Sequence, residues 1–137
     1  KYVFGHPLRS LFWGIAITAG VQSSSVTASL TVPLVASNRA TLQKVFPFLI
    51  GANVGTTITA LIAALSQNEI ALAIAICHVI FNLAGVLIFF PIEYVRNIPV
   101  RLAGKLGQLS QNNRMVGLMY VLVVFSMVPM IFMMFSR

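Results

Sequence analysis

Two apolar runs, Ile70–Phe90 and Met115–Phe135, limit what this chain can fold into. Each matches the roughly 20 helical residues needed to cross the hydrocarbon core of a bilayer. Only 8% of the 137 residues are charged, against about 25% in a soluble domain, too few to coat a water-exposed surface. The expected class is an all-α, multi-pass membrane protein located in the cell membrane.

Charge orients it. Arg96, Arg101, Lys105 and Arg114 lie together between the two runs, the pattern of a cytoplasmic loop under the positive-inside rule. Ser66–Glu69 then faces outside, Arg39 and Lys44 return to the cytoplasm, and Arg137 falls outside. Within the basic loop, Ile98, Leu102, Leu106 and Leu109 recur at helical spacing with Arg101, Lys105 and Gln108 on other faces. That pattern predicts a short amphipathic helix in the headgroup plane. The net charge of +7 fits a solvated loop or affinity for anionic lipid headgroups. It does not suggest nucleic acid, because the basic residues are not interleaved with aromatics on one face.

The N-terminal half is less uniform. Leu11–Val21 is apolar but too short to span, and it runs into Gln22-Ser23-Ser24-Ser25-Val26-Thr27-Ala28-Ser29-Leu30-Thr31 before apolar character resumes through Ala36. Buried amides and hydroxyls cost free energy unless they are satisfied, so the stretch needs a reason. Two short apolar arms around a polar tip predict a re-entrant hairpin over about residues 11–36; one continuous helix with a polar face is the alternative. Pro33 counts against the continuous helix, since it removes a backbone donor and crowds the preceding turn. Val45–Leu65 is interrupted in the same way by Gly51-Ala52-Asn53-Val54-Gly55-Thr56-Thr57-Ile58-Thr59, which predicts an unwound turn and a fresh helix start. Pro129 marks a kink near the far end of the last span.

Enzyme chemistry finds no foothold. Gly20-Val21-Gln22-Ser23-Ser24 does not fit a nucleophile elbow, and neither His6 nor His78 has a motif that makes it a base. Glu69 and Glu93 sit at opposite ends of an apolar run, and Cys, His and carboxylates at metal-ligand spacing are lacking. The single cysteine, Cys77, excludes an internal disulfide and reads as a small buried apolar residue. Met127, Met130, Met133 and Met134 read as lipid-facing or packing surface. The chain opens at Lys1 without a signal-peptide pattern, which suggests a piece of a longer protein.

Oxygen chemistry remains. Hydroxyls, amide oxygens and free carbonyls are hard neutral ligands for an alkali cation, while hydroxyl and N–H donors suit a phosphate-like oxyanion. Interrupted helices supply both kinds of group at the midplane of secondary transporters. Ser23, Thr27 and Thr31 share a helical face, as do Thr56 and Thr59. Close helix packing by small hydroxyl residues explains the same spacing. His78 and Asn82, one turn apart, suit an interhelical hydrogen bond or a proton-linked role.

Taken together, these segments resemble the type II sodium–phosphate cotransporter family. The resemblance rests on Gln22-Ser23-Ser24-Ser25 and Gly51-Ala52-Asn53-Val54-Gly55-Thr56-Thr57, and on Cys77-His78-Val79-Ile80-Phe81-Asn82 and Pro99-Val100-Arg101 followed by Lys105-Leu106-Gly107. It implies a symporter of two inverted repeats, each with a Gln-Ser-Ser-Ser hairpin, of which this chain holds the second. Gln22, Ser23, Thr56 and Thr59 then surround a sodium ion. Ser24, Ser25, Asn53 and Thr57 belong to the phosphate side, with Asn53 also able to touch a further sodium. Ala52 stands where animal members commonly have serine, which leaves that position without a ligand. The partners implied are inorganic phosphate, Na+, the lipid bilayer and the first repeat, with no cofactor beyond Na+ as coupling ion. A non-transporting scaffold or regulatory protein of the same fold, or an anion channel, is the alternative.

Overall fold

A computed structural model describes residues 3–135. It divides into two compact units, Lys1–Asn97 and Ile98–Arg137. Every regular element among the described residues is helical. In the first unit, α1 (Pro7–Val21) starts where the His6 side chain accepts a hydrogen bond from the Leu8 N–H at 3.2 Å and Pro7 stands in the first turn. His6 is therefore a helix cap. Next come α2 (Ser24–Ser29) and α3 (Val32–Ala36), with Pro33 in the first turn of α3, where its missing N–H costs nothing.

The next helix departs from expectation. α4 (Leu42–Ala64) runs unbroken through Gly51–Thr59, where the sequence suggested an unwound turn. The reason is its neighbour. A Cβ at Gly14 of α1 would coincide with the Phe48 carbonyl oxygen, and one at Gly51 with the Leu11 carbonyl oxygen; at Gly55 it would lie 2.7 Å from the Ile15 oxygen. The glycines bring two backbones together rather than break one. Contacts step from Leu11–Gly51 to Ile15–Gly55, four residues forward on both helices, so α1 and α4 run parallel. Two parallel neighbours need a returning segment between them, and residues 22–41 supply it. The helix is broken at Gln22–Ser23 and is not continuous through the polar stretch.

α5 (Glu69–Phe89) follows a tight turn and packs on α4. Asn68 caps it by accepting the Ala71 N–H at 2.9 Å, and Glu69 complements the helix dipole. It ends just before Pro91. Cys77 is exposed, not buried, because the described chain covers only part of the α5 surface. Leucine, isoleucine and phenylalanine side chains crowd the rest of that surface.

α6 (Glu93–Asn112) begins in the first unit and continues into the second. It is longer than the expected amphipathic segment, and Ile98, Leu102 and Leu109 on its apolar face are exposed. In the second unit, Asn113 caps α7 (Arg114–Phe135) by accepting the Met115 N–H at 3.0 Å. Residues Val123–Met127 of α7 form a π-helical turn. Pro129 cannot donate to the carbonyl four residues earlier, and the wider turn before it absorbs the mismatch. All six methionines of this helix are exposed, Met127, Met130, Met133 and Met134 among them. Three helices, α4, α5 and α7, are long and apolar enough to cross a membrane.

Gly51→Ala is expected to lower stability by about 1–3 kcal/mol, since the new methyl meets backbone that cannot rotate away. A Cβ at Gly85 meets nothing within 4 Å, so Gly85→Ala should be neutral or gain up to about 1 kcal/mol. Thermal unfolding of both variants in detergent checks the contrast.

Candidate functional site

The polar stretch sits at the junction of two helices. Gln22 closes α1 in the left-handed conformation, φ 58°, and its N–H donates to the Thr18 carbonyl at 2.7 Å. Ser23 is extended and caps α2, its hydroxyl accepting the Val26 N–H at 3.3 Å. The last-turn carbonyls of α1 and the first N–H groups of α2 therefore meet at one two-residue break. The Gln22 side chain is exposed there, and Ser23 and Ser24 are half-buried.

The hydroxyls divide by how they use their protons. Thr27 is fully buried and donates to the Ser23 carbonyl at 3.0 Å, and Thr31, nearly buried, donates to the Ala28 carbonyl at 2.7 Å. At these two positions the packing explanation fits the structure: small side chains, satisfied locally, between helices. Ser24 and Ser25 form no side-chain hydrogen bond among the described residues. On α4, Thr56 donates to the Ala52 carbonyl at 3.1 Å and Thr59 to the Thr56 carbonyl at 2.8 Å. Their protons are committed, and their oxygen lone pairs remain for an incoming cation.

Helical geometry sorts the rest. The α1–α4 register pairs Ile15 with Gly55. It also sets Thr18 against Gly55, and one turn beyond that contact on each helix lie Gln22, the residue that closes α1, and Thr59. Thr56 lies about 60° round the helix from Thr59 and belongs to the same side. Thr57 does not. It lies about 200° round the helix from both Gly55 and Thr59, buried, with its hydroxyl donating to the Val54 carbonyl at 2.7 Å. Asn53 is exposed. Helix geometry thus puts Thr56 and Thr59 on one side of α4, with Thr59 one turn beyond the Thr18–Gly55 contact as Gln22 is on α1, and turns Thr57 away from that side.

His78 and Asn82 do not form the interhelical bond that their spacing suggested. Asn82 Nδ2 donates to the His78 carbonyl at 3.1 Å, within α5. His78 instead borders an open groove of about 350 Å³ between α4 and α5, lined chiefly by Ala60, Ala63, Ala64 and Ala75. None of the polar-stretch residues lines it. Sequence reading passed over Thr18. Its spacing of four from Gln22 was the available signal, and the structure makes it one of the most deeply buried side chains.

Comparison with known proteins shows the family. Residues 1–96, well over half the chain, match the family described as Na+/Pi-cotransporter. The chain belongs to the Na+/Pi-cotransporter family. Sodium-dependent phosphate transport protein 2C of Homo sapiens is 42% identical over 80 residues, which is 56% of this chain and 13% of that protein. Sodium-dependent phosphate transport protein 2B of Bos taurus and 2A of Oryctolagus cuniculus are each 41% identical over 80 residues, 56% of this chain and 12% of theirs. The match thus spans about an eighth of the length of these relatives. No solved structure matches. Within this family member, α1, the Gln22–Ser23 break and α4 all fall inside the matched residues.

Gln22 is strained by its side chain. Gln22→Gly is expected to raise stability by up to about 1 kcal/mol, and Gln22→Val, β-branched at positive φ, to lower it by about 1–2 kcal/mol. Melting temperatures of the two variants give the order directly.

Proposed function

We propose that this chain supplies one half of a site for sodium-coupled symport of inorganic phosphate across the cell membrane by alternating access. The observation that carries this reading is the division of hydroxyls at the Gln22–Ser23 break. Thr56 and Thr59 have spent their protons on α4 carbonyls and offer lone pairs, as Na+ requires. The Gln22 amide oxygen and the dipole of the α1 C-terminus add to that negative side. Ser24 and Ser25 keep their hydroxyl protons and adjoin the first N–H groups of α2, as an oxyanion requires. Ser23 stands between the two sets.

Phosphate carries its charge into this site without a basic residue to meet it: Gln22–Ser29 and Gly51–Thr59 contain no Lys or Arg. Sodium beside the anion offsets that charge, which is a physical reason for coupling the two. Asn53, exposed on α4, faces outward from this half and serves the phosphate or a further sodium once the first repeat closes over it. Thr57 supports the helix rather than touching phosphate, given its buried position and committed proton. The hairpin of residues 11–36 enters the membrane without crossing it, and α4, α5 and α7 cross. An inverted first repeat supplies the other half of the ligands. No cofactor is needed beyond the coupling ion. The names of the relatives, sodium-dependent phosphate transport proteins, support the same reading.

The test is uptake of radiolabelled phosphate into proteoliposomes holding the full-length protein, with sodium exchanged for choline. Uptake is expected to fall at least tenfold in choline, about 1.4 kcal/mol or more of coupling; equal uptake in both salts sinks the proposal. Ser24→Ala and Thr56→Ala should abolish most uptake while the protein stays folded in size-exclusion chromatography. Loss of folded protein in both would mean that the hydroxyls serve packing. Flux that rises without saturation would mark a channel instead.

A further inference from the structure

Thr18 carries a further inference, which rests on the sodium-coupled reading above. Its side chain is 0% exposed, and its Oγ1 has no hydrogen-bond partner. The other hydroxyls buried deep in the first unit are satisfied: Ser10 donates to the Val3 carbonyl, Thr27 to Ser23, Thr31 to Ala28 and Thr57 to Val54. A buried hydroxyl without a partner has lost its water and gained nothing in exchange, so folding alone does not explain it.

Its position supplies the explanation. Thr18 lies one turn before Gln22, on the same face of α1, and its own carbonyl holds the Gln22 N–H at 2.7 Å. It packs against Gly55, where an added Cβ would stand 2.7 Å from the Thr18 Cβ, and Thr59 lies one turn beyond Gly55. Thr18 and Gly55 thus lie in contact one turn below Gln22 and Thr59 on their respective helices. Its oxygen is a hard neutral ligand like theirs, and it differs from theirs in being already stripped of water and committed to no carbonyl. We propose that Thr18 Oγ1 is a further sodium ligand, set beneath Gln22, Ser23, Thr56 and Thr59. The chain is irregular only at Gln22–Ser23 between α1 and α2. A rearrangement there reaches Thr18 without disturbing the glycine contacts at Leu11–Gly51 and Phe48–Gly14.

Phosphate uptake by the full-length protein in proteoliposomes, measured as a function of sodium concentration, tests this. Thr18→Val keeps the shape and removes the oxygen; Thr18→Ser keeps the oxygen. The half-saturating sodium concentration of T18V should rise by roughly threefold to tenfold, the weight of one hydroxyl ligand. Half-saturation for phosphate at saturating sodium should not change, and T18S should return sodium activation to within about twofold of the unmodified protein. The melting temperature of T18V in choline should hold or rise, since an unpaired buried hydroxyl has gone. Unchanged sodium activation in T18V overturns the proposal, and so does a fall in its melting temperature in choline, which would show that the hydroxyl holds the fold. Uptake by the unmodified protein that ignores sodium removes the preceding reading and this one together. Sodium-dependent uptake that T18V leaves intact removes this one alone.

Discussion

The first unit depends on one contact, the backbone-to-backbone packing of α1 on α4 at Gly14, Gly51 and Gly55. Each glycine removes a side chain at a point where the facing helix presents a carbonyl oxygen. Dispersion and Cα–H···O contacts gain from so close an approach, and neither depends on excluding water. That matters in a bilayer, where the hydrophobic effect gives helices no reason to associate. Because the contact is made in parallel, the intervening segment must turn back, and the polar stretch falls at the turn. The placement of the site is thus a consequence of helix packing rather than of the polar residues themselves.

The same contact separates hydroxyls that look alike in the sequence. Thr27, Thr31 and Thr57 are buried, and each gives its proton to a nearby carbonyl. Thr56 and Thr59 do the same from half-exposed positions, which leaves their lone pairs accessible. Ser24 and Ser25, in the first turn of α2, have no such carbonyl one turn behind them in the same helix. One residue class therefore yields buried hydroxyls bonded in the packed interior, hydroxyls with accessible lone pairs and hydroxyls with uncommitted protons, according to where each falls relative to a helix start and a neighbouring helix.

Much of this was legible in the residues. The apolar runs marked the α5 and α7 spans to within a residue or so, because a spanning helix must be apolar on every side. A break somewhere in this stretch was legible because a polar tip parts two short apolar arms and Pro33 counts against one continuous helix. The readings that failed at α4 and at Cys77 share a reason: each concerned a position whose surroundings come from far along the chain. Glycine serves both unwinding and close approach, and only Leu11 and Ile15 show which applies at Gly51 and Gly55. Cys77 was likewise judged by residue type and Thr18 was passed over, while the neighbours that leave the one exposed and bury the other come from elsewhere; Asn82 instead bonds within its own helix, to the His78 carbonyl.

By itself, the sequence determined the apolar surroundings this chain suits, which helices are long and apolar enough to span a bilayer and the chemistry available at the polar stretch. These are properties of composition and short-range spacing, which a helix reads locally. Tertiary structure alone decided that α4 stays whole and that the Thr18 hydroxyl is left without a partner. Those outcomes hang on the register between α1 and α4. Register is a relation between segments some 40 residues apart, set by where two backbones can touch, and no window of local sequence contains it.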